Sequence, residues 1–112
     1  MPAFVFWSGL TSGKLVLDRQ LRQVWLNDQT INLTARAVGV LEFLMLNPHE
    51  IIPRERLLDE VWGWSAGLET RAVDSRIAEI RKALEEDSAQ PRYLETVVGN
   101  GYRFLADVVG KA

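Results

Sequence analysis

The run Arg71-Ala72-Val73-Asp74-Ser75-Arg76-Ile77-Ala78-Glu79-Ile80-Arg81-Lys82-Ala83-Leu84 decides how the rest of the chain is read. Its apolar residues Val73, Ile77, Ile80 and Leu84 are separated by four, three and four positions, which lays them in one stripe of a helix. Opposite that stripe stand Arg71, Ser75, Ala78, Glu79 and Lys82, with Arg76 and Arg81 on the flanks. The spacing predicts a helix from a Thr70 cap to about Glu86, with one side packed and the other offered to a partner.

Working outward, Pro53 opens a shorter helix from Arg54 to about Val61, with Leu57, Leu58 and Val61 as its inner stripe. The glycines of Trp62-Gly63-Trp64-Ser65-Ala66-Gly67 separate the two helices. A third, mostly buried helix begins at a Thr34 cap, carries Val38, Leu41, Leu44 and Met45 at helical spacing, and ends at Pro48. Downstream, Asp87 to Arg92 is a polar connector. Tyr93-Leu94-Glu95-Thr96-Val97-Val98 and Tyr102-Arg103-Phe104-Leu105 then read as two strands joined by Gly99-Asn100-Gly101. Residues 1–34 read as a small antiparallel sheet with strands at Phe4–Trp7, Leu15–Leu17, Gln23–Leu26 and Gln29–Leu33. Turns are expected at Ser8-Gly9, Ser12-Gly13 and Asn27-Asp28. Gly110-Lys111-Ala112 is expected to fray.

The 112 residues, 47% hydrophobic and 25% charged, suit one domain, residues 1–112, divided into sheet (1–34), helices (35–86) and hairpin (93–105). Without cysteine there is no disulfide framework and no thiolate chemistry. The lone His49, in an Asn47-Pro48-His49-Glu50 turn, has no second imidazole to share a metal or a triad, and reads as a solvent-facing turn residue. Asp59-Glu60 are neighbours on a helix and point apart, so they make no acid/base couple; an enzyme is not expected, nor a cofactor. No apolar run reaches the ~18 residues of a membrane span and no export signal is visible, which makes the cytoplasm the expected compartment. Net charge is −2, but residues 70–84 carry +2 whereas 35–69 carry −3. Glu85-Glu86-Asp87 puts acid at a helix carboxy end, where the macrodipole disfavours it, and reads as a solvated terminus. Trp7, Trp25, Trp62, Tyr102 and Phe104 read as core and sheet-face aromatics.

Two helices separated by a turn, the second with a partly basic outer face, then a slim Gly-tipped hairpin, is the layout of a winged helix-turn-helix of α+β class. Such a helix fits the major groove of DNA, although the pattern alone equally describes a solvated face. Four blocks in register narrow the choice: Ile31-Asn32-Leu33-Thr34; Pro53-Arg54-Glu55-Arg56-Leu57-Leu58-Asp59-Glu60-Val61-Trp62-Gly63; Arg71 to Ile77 with Ile80 to Leu84; and Tyr93 to Phe104. In these the chain resembles the DNA-binding domain of OmpR/PhoB-type response regulators. The resemblance implies a four-stranded amino-terminal sheet, three helices and a β-hairpin wing, and a two-component regulator's output domain controlling transcription without a cofactor. It places Arg71, Asp74, Ser75, Arg76, Arg81 and Lys82 on the recognition helix and Thr96 and Asn100 on the wing. On this basis Arg76 or Arg71 is expected on a base edge, and Arg81, Lys82 and Thr96 on phosphates. It also makes Trp62 to Glu69 the loop that touches RNA polymerase, with Trp64 either in that contact or tucked over the core edge. Further implied are a homodimer on direct repeats of double-stranded DNA and a receiver domain, for which 112 residues leave no room.

The chain departs from the family where Ala78 and Glu79 stand at positions often basic, and where Val98 stands at a wing position that is commonly arginine. Each phosphate left without its cation means about one counterion fewer released, so weaker or differently specified binding is expected. Glu79 would repel the backbone or accept from cytosine N4. Pro53 replaces a frequent Ser or Thr cap. The alternative is a winged-helix protein-interaction module, its DNA binding weakened, that contacts RNA polymerase or a partner regulator through Trp62–Glu69 and the acidic 35–69 surface.

Overall fold

The structure, a computed structural model, describes residues 8–63, 67–87 and 89–111. Antiparallel strands β1 (Gly9–Ser12), β2 (Leu15–Asp18), β3 (Gln23–Leu26) and β4 (Gln29–Ile31) come first. Helices α1 (Ala35–Leu46), α2 (Arg54–Trp62) and α3 (Arg71–Ala83) follow, then the hairpin β5 (Leu94–Val97) and β6 (Gly101–Phe104), and finally β7 (Val109–Lys111). The first sheet is ordered β4-β3-β2-β1-β7, and β5-β6 form a separate pair.

Alternation and turn chemistry account for the first sheet. Leu10, Leu15, Leu17 and Val24 face inward and are buried, while Val16, Trp25 and Thr30 lie on the other face in register. Asn27 and Asp28 have φ of 52° and 66°, the left-handed pair that a two-residue hairpin loop requires. The first described strand is Gly9–Ser12, where the residues suggested two turns; the strand expected at Phe4–Trp7, with Trp7, lies outside the described residues. Pairing with β2 on one side and β7 on the other overrides local propensity here. Ser12 is buried because its Oγ donates to the Asp107 carbonyl at 2.7 Å. The expected frayed end is likewise corrected, since Val109–Lys111 pairs with β1.

The helices bury the stripes that their periodicity indicated. Thr34 caps α1, its hydroxyl accepting from Ala37 N–H at 3.4 Å, and α1 buries Ala37, Val38, Val40, Leu41 and Leu44 to Leu46. Pro53 gives α2 no side-chain cap, as expected. Thr70 does not cap α3, because its backbone is already helical. Helix α3 ends at Ala83, earlier than Glu86. Glu85, at φ 55°, closes it: the Glu85 and Glu86 N–H groups donate to the Lys82 and Arg81 carbonyls, a Schellman closure with glutamate where glycine is usual. All three helices and both sheets contribute to one apolar cluster containing Leu17, Leu44, Leu57, Ile77 and Phe104.

The acidic run after α3 is not a solvated terminus. The Glu86 carboxylate accepts from the N–H groups of Arg92, Tyr93 and Leu94, fixing the entry of β5. On the other side, Ile52 and Tyr102 exchange both backbone hydrogen bonds at 2.8 and 3.0 Å, so the segment before α2 borders the hairpin as a third, one-residue strand. That approach demands Gly101: a Cβ there would lie 2.1 Å from the Ile52 carbonyl oxygen. His49 occupies an exposed turn at φ 68°, its Nε2 2.7 Å from Asp107 Oδ1.

Candidate nucleic-acid interface

Helix α3 sorts its side chains by angle. Val73, Ile77 and Ile80 are buried, while Arg71, Ser75, Ala78 and Lys82 are exposed at intervals of four, three and four, forming one outward stripe. Among the described residues Arg71 is paired only with Glu69, at 3.0 Å, and both side chains are largely in water. Ser75 Oγ donates back to the Arg71 carbonyl at 3.2 Å. No hydrogen bond or ion pair holds Lys82 among the described residues.

One flank of α3 turns toward the start of α1. The Glu79 carboxylate accepts from Thr34 N–H at 2.7 Å and Thr34 Oγ–H at 2.8 Å, and pairs with Arg76 at 2.9 Å. Arg76 also donates to Thr34 Oγ at 3.0 Å. The expectation that Glu79 looks outward is therefore corrected.

The other flank turns toward the hairpin. Asp74 accepts from Arg54 of α2 at 2.8 Å and from the Tyr102 hydroxyl of β6 at 2.6 Å, joining three elements. Burial, the hydrogen bond to Asp74 and that carboxylate's charge push the Tyr102 phenol up to about 12, against the opposing pull of Arg81 and Arg54. Arg81 spans from α3 to β5: its guanidinium donates to the Leu94 carbonyl at 3.0 Å and Thr96 Oγ at 2.9 Å, and lies 5.9 Å from the centre of the Tyr102 ring. Its Nε is buried without a hydrogen-bond partner among the described residues.

At the hairpin tip Val98 is 89% exposed, and Asn100 donates through its side chain to the Val98 carbonyl at 3.3 Å. A cleft lined by Arg54, Glu55, Val98, Asn100 and Tyr102 separates the tip from the first turn of α2. No group of metal-ligating side chains occurs among the described residues.

Of the eight interface residues read from the sequence, then, Arg71, Ser75 and Lys82 stand outward on α3 and Asn100 stands at the tip. Thr96 is exposed but bonded to Arg81, and Asp74 and Arg76 are engaged in internal pairs. In the expected polymerase-contact loop, Trp62 is half-buried beneath the Arg36 guanidinium, 5.8 Å from its ring centre, and Glu69 is exposed. Trp64 lies outside the described residues.

Residues 28–104 match the family model described as transcriptional regulatory protein, C terminal. The chain belongs to that family. It is 39% identical over 92 residues to the phosphate regulon transcriptional regulatory protein PhoB of Klebsiella pneumoniae, covering 82% of this chain and 40% of that protein. It is 38% identical over 94 residues to the probable transcriptional regulator ycf27 of Galdieria sulphuraria, covering 82% and 37%. The chain thus spans about two fifths of the length of the curated relatives it matches. The DNA-binding domain of Klebsiella pneumoniae RstA, solved in complex with the RstA box, superposes with a TM-score of 0.78 at 30% identity, over 87% of this chain and 96% of that one. Response regulator DrrB of Thermotoga maritima, described as an OmpR/PhoB homolog, gives 0.79 at 35% identity, over 88% and 44%.

The OmpR/PhoB-type resemblance carried by the four sequence blocks therefore holds, and so does the winged helix-turn-helix, with β5–β6 as its wing. Sequence reasoning missed the partners rather than the frame of this family member. Arg54 lies 20 residues from Asp74, and Thr34 lies 45 from Glu79, so no local spacing signals either contact. Only the acidic type of Glu86, just before the strand whose amides it receives, offered a clue.

Proposed function

We propose that this chain is the output domain of a two-component response regulator, binding double-stranded DNA in a sequence-specific manner and controlling transcription. The observation that carries the reading is the outward stripe Arg71, Ser75, Ala78 and Lys82 on an α3 braced against an exposed hairpin tip. A helix of this width enters the major groove, with the wing beside the adjacent minor groove. Arg71 is the base-edge candidate, since its only partner among the described residues is a water-exposed glutamate worth little to it. Lys82 takes a phosphate, Ser75 and Asn100 offer hydrogen bonds, and Arg81 orients Thr96 toward the duplex. Asp74 contributes by holding α3, α2 and the wing in register. This chemistry uses no catalytic group and no cofactor.

The reading extends to a longer protein with a receiver domain, acting in the cytoplasm as a homodimer on direct repeats about one helical turn apart. No helix among the described residues is long and apolar enough to cross a membrane. RNA polymerase contact falls to the segment between Trp62 and Glu69. Selection of bound sites from a random duplex library tests the whole reading, and repeated half-sites are the expected product. Titration of the selected duplex should then show Lys82→Ala losing roughly one phosphate's worth of salt dependence, a slope change of about 0.9, and Arg71→Ala losing discrimination between sequences. Absence of any duplex binding at 50 mM salt, with retained association to polymerase, would instead favour the protein-interaction module.

A further inference from the structure

Glu79 is an acid on a recognition helix, and its geometry shows what it does there. Three donors converge on its carboxylate: the Thr34 amide, the Thr34 hydroxyl and the Arg76 guanidinium, at 2.7, 2.8 and 2.9 Å. The ring is closed by Arg76 donating to the same Thr34 oxygen at 3.0 Å. Because Thr34 caps α1, the carboxylate also sits at the positive end of that helix, which holds it in place independently of Arg76. The Arg76 and Glu79 side chains are 32% and 24% exposed, so water reaches them less freely than it reaches a fully surface pair. By contrast, the Arg71–Glu69 pair is 84% and 77% exposed and exchanges readily for another anion.

We propose that Glu79 is a positioning residue that withholds Arg76 from DNA by clasping it to the start of α1. The proposal rests on the DNA-binding reading above. To reach a phosphate, Arg76 must leave both the Glu79 carboxylate and the Thr34 hydroxyl, and the incoming phosphate meets the charge of Glu79 left behind. Arg76 therefore releases no counterion on binding, although it lies on the recognition helix and adds to its formal charge. The domain binds as though it had one cation fewer than its sequence counts.

The test measures affinity for the selected duplex by fluorescence anisotropy between 50 and 200 mM salt, using wild type, Arg76→Ala, Glu79→Gln, Glu79→Ala and the Arg76→Ala/Glu79→Gln pair. Glutamine keeps an acceptor for the Thr34 amide, so E79Q stays folded while its hold on Arg76 weakens. Wild type and R76A should share one slope of log K against log salt. E79Q and E79A should be steeper by about 0.9, which is roughly a three- to fourfold greater loss of affinity across that range. The double variant should return to the wild-type slope, an outcome that a merely structural role for Glu79 would not produce. If R76A alone flattens the slope by about 0.9, or both Glu79 variants leave it unchanged, the clasp does not act on DNA binding. If neither wild type nor E79Q binds duplex at 50 mM salt, the inference and the DNA-binding reading fall together, whereas an Arg76-dependent slope in wild type removes the inference alone.

Discussion

Glu85 occupies the left-handed position that ends α3, at φ 55°. A β-carbon is disfavoured in that conformation, and a carboxylate is disfavoured at a helix carboxy end. Glu85→Gly relieves both and should raise stability by about 1 kcal/mol, read as a higher urea midpoint at unchanged slope. At Tyr102 the proton is held more tightly in the folded state than in the unfolded one, its pKa moving from 10.0 to about 12. Its contribution is thus fully present below pH 10 and is lost as the pH rises through 12. Wild type should lose stability relative to Tyr102→Phe across that window, and tyrosinate absorbance should show one phenol titrating late. A loss of stability that is the same in both proteins would contradict the assignment.

Among the elements, the hairpin is held by groups outside itself. Glu86 holds the amides that lead into β5, Arg81 grips β5 from α3, and Ile52 pairs with β6. Glu86→Ala leaves those amides to water, and should cost about 1–3 kcal/mol while accelerating hydrogen exchange at Tyr93 and Leu94 before it does so in α1. Gly101→Ala drives a Cβ into the Ile52 carbonyl and should cost at least about 2 kcal/mol, with the damage concentrated in the same hairpin. These interactions also mark the limit of what the chain's pattern reveals. The α3 stripe, the Thr34 cap, the Asn27-Asp28 loop and the Gly-tipped hairpin were legible because each is set by residues within a few positions of one another. Strands β1 and β7 were not, since Gly9–Ser12 and Val109–Lys111 are short, their residue types alternate weakly, and they pair with each other from distant parts of the chain. For the interface the cation positions were readable, but which of them are free was not. That depends on Thr34 and Thr96, brought close to Arg76 and Arg81 by the fold.

For the molecule as a whole, a net charge of −2 is compatible with a nucleic-acid interface because the charges are sorted by surface rather than averaged. Glu42 gathers Arg19 and Arg22, and Glu95 is paired with Arg103 across the hairpin, so those cations are neutralised by partners that are not on α3. The sheet poses a different question. With β7 in place, the flank of β1 turned away from β2 is paired from Gly9 to Thr11. Cutting the chain after Val108 would leave those amides and carbonyls as a bare template, to which another polypeptide could add edge to edge. Light scattering of the shortened domain should then reveal more concentration-dependent self-association than the intact chain shows, because the three-residue β7 is a shorter edge than the four-residue β1 it covers.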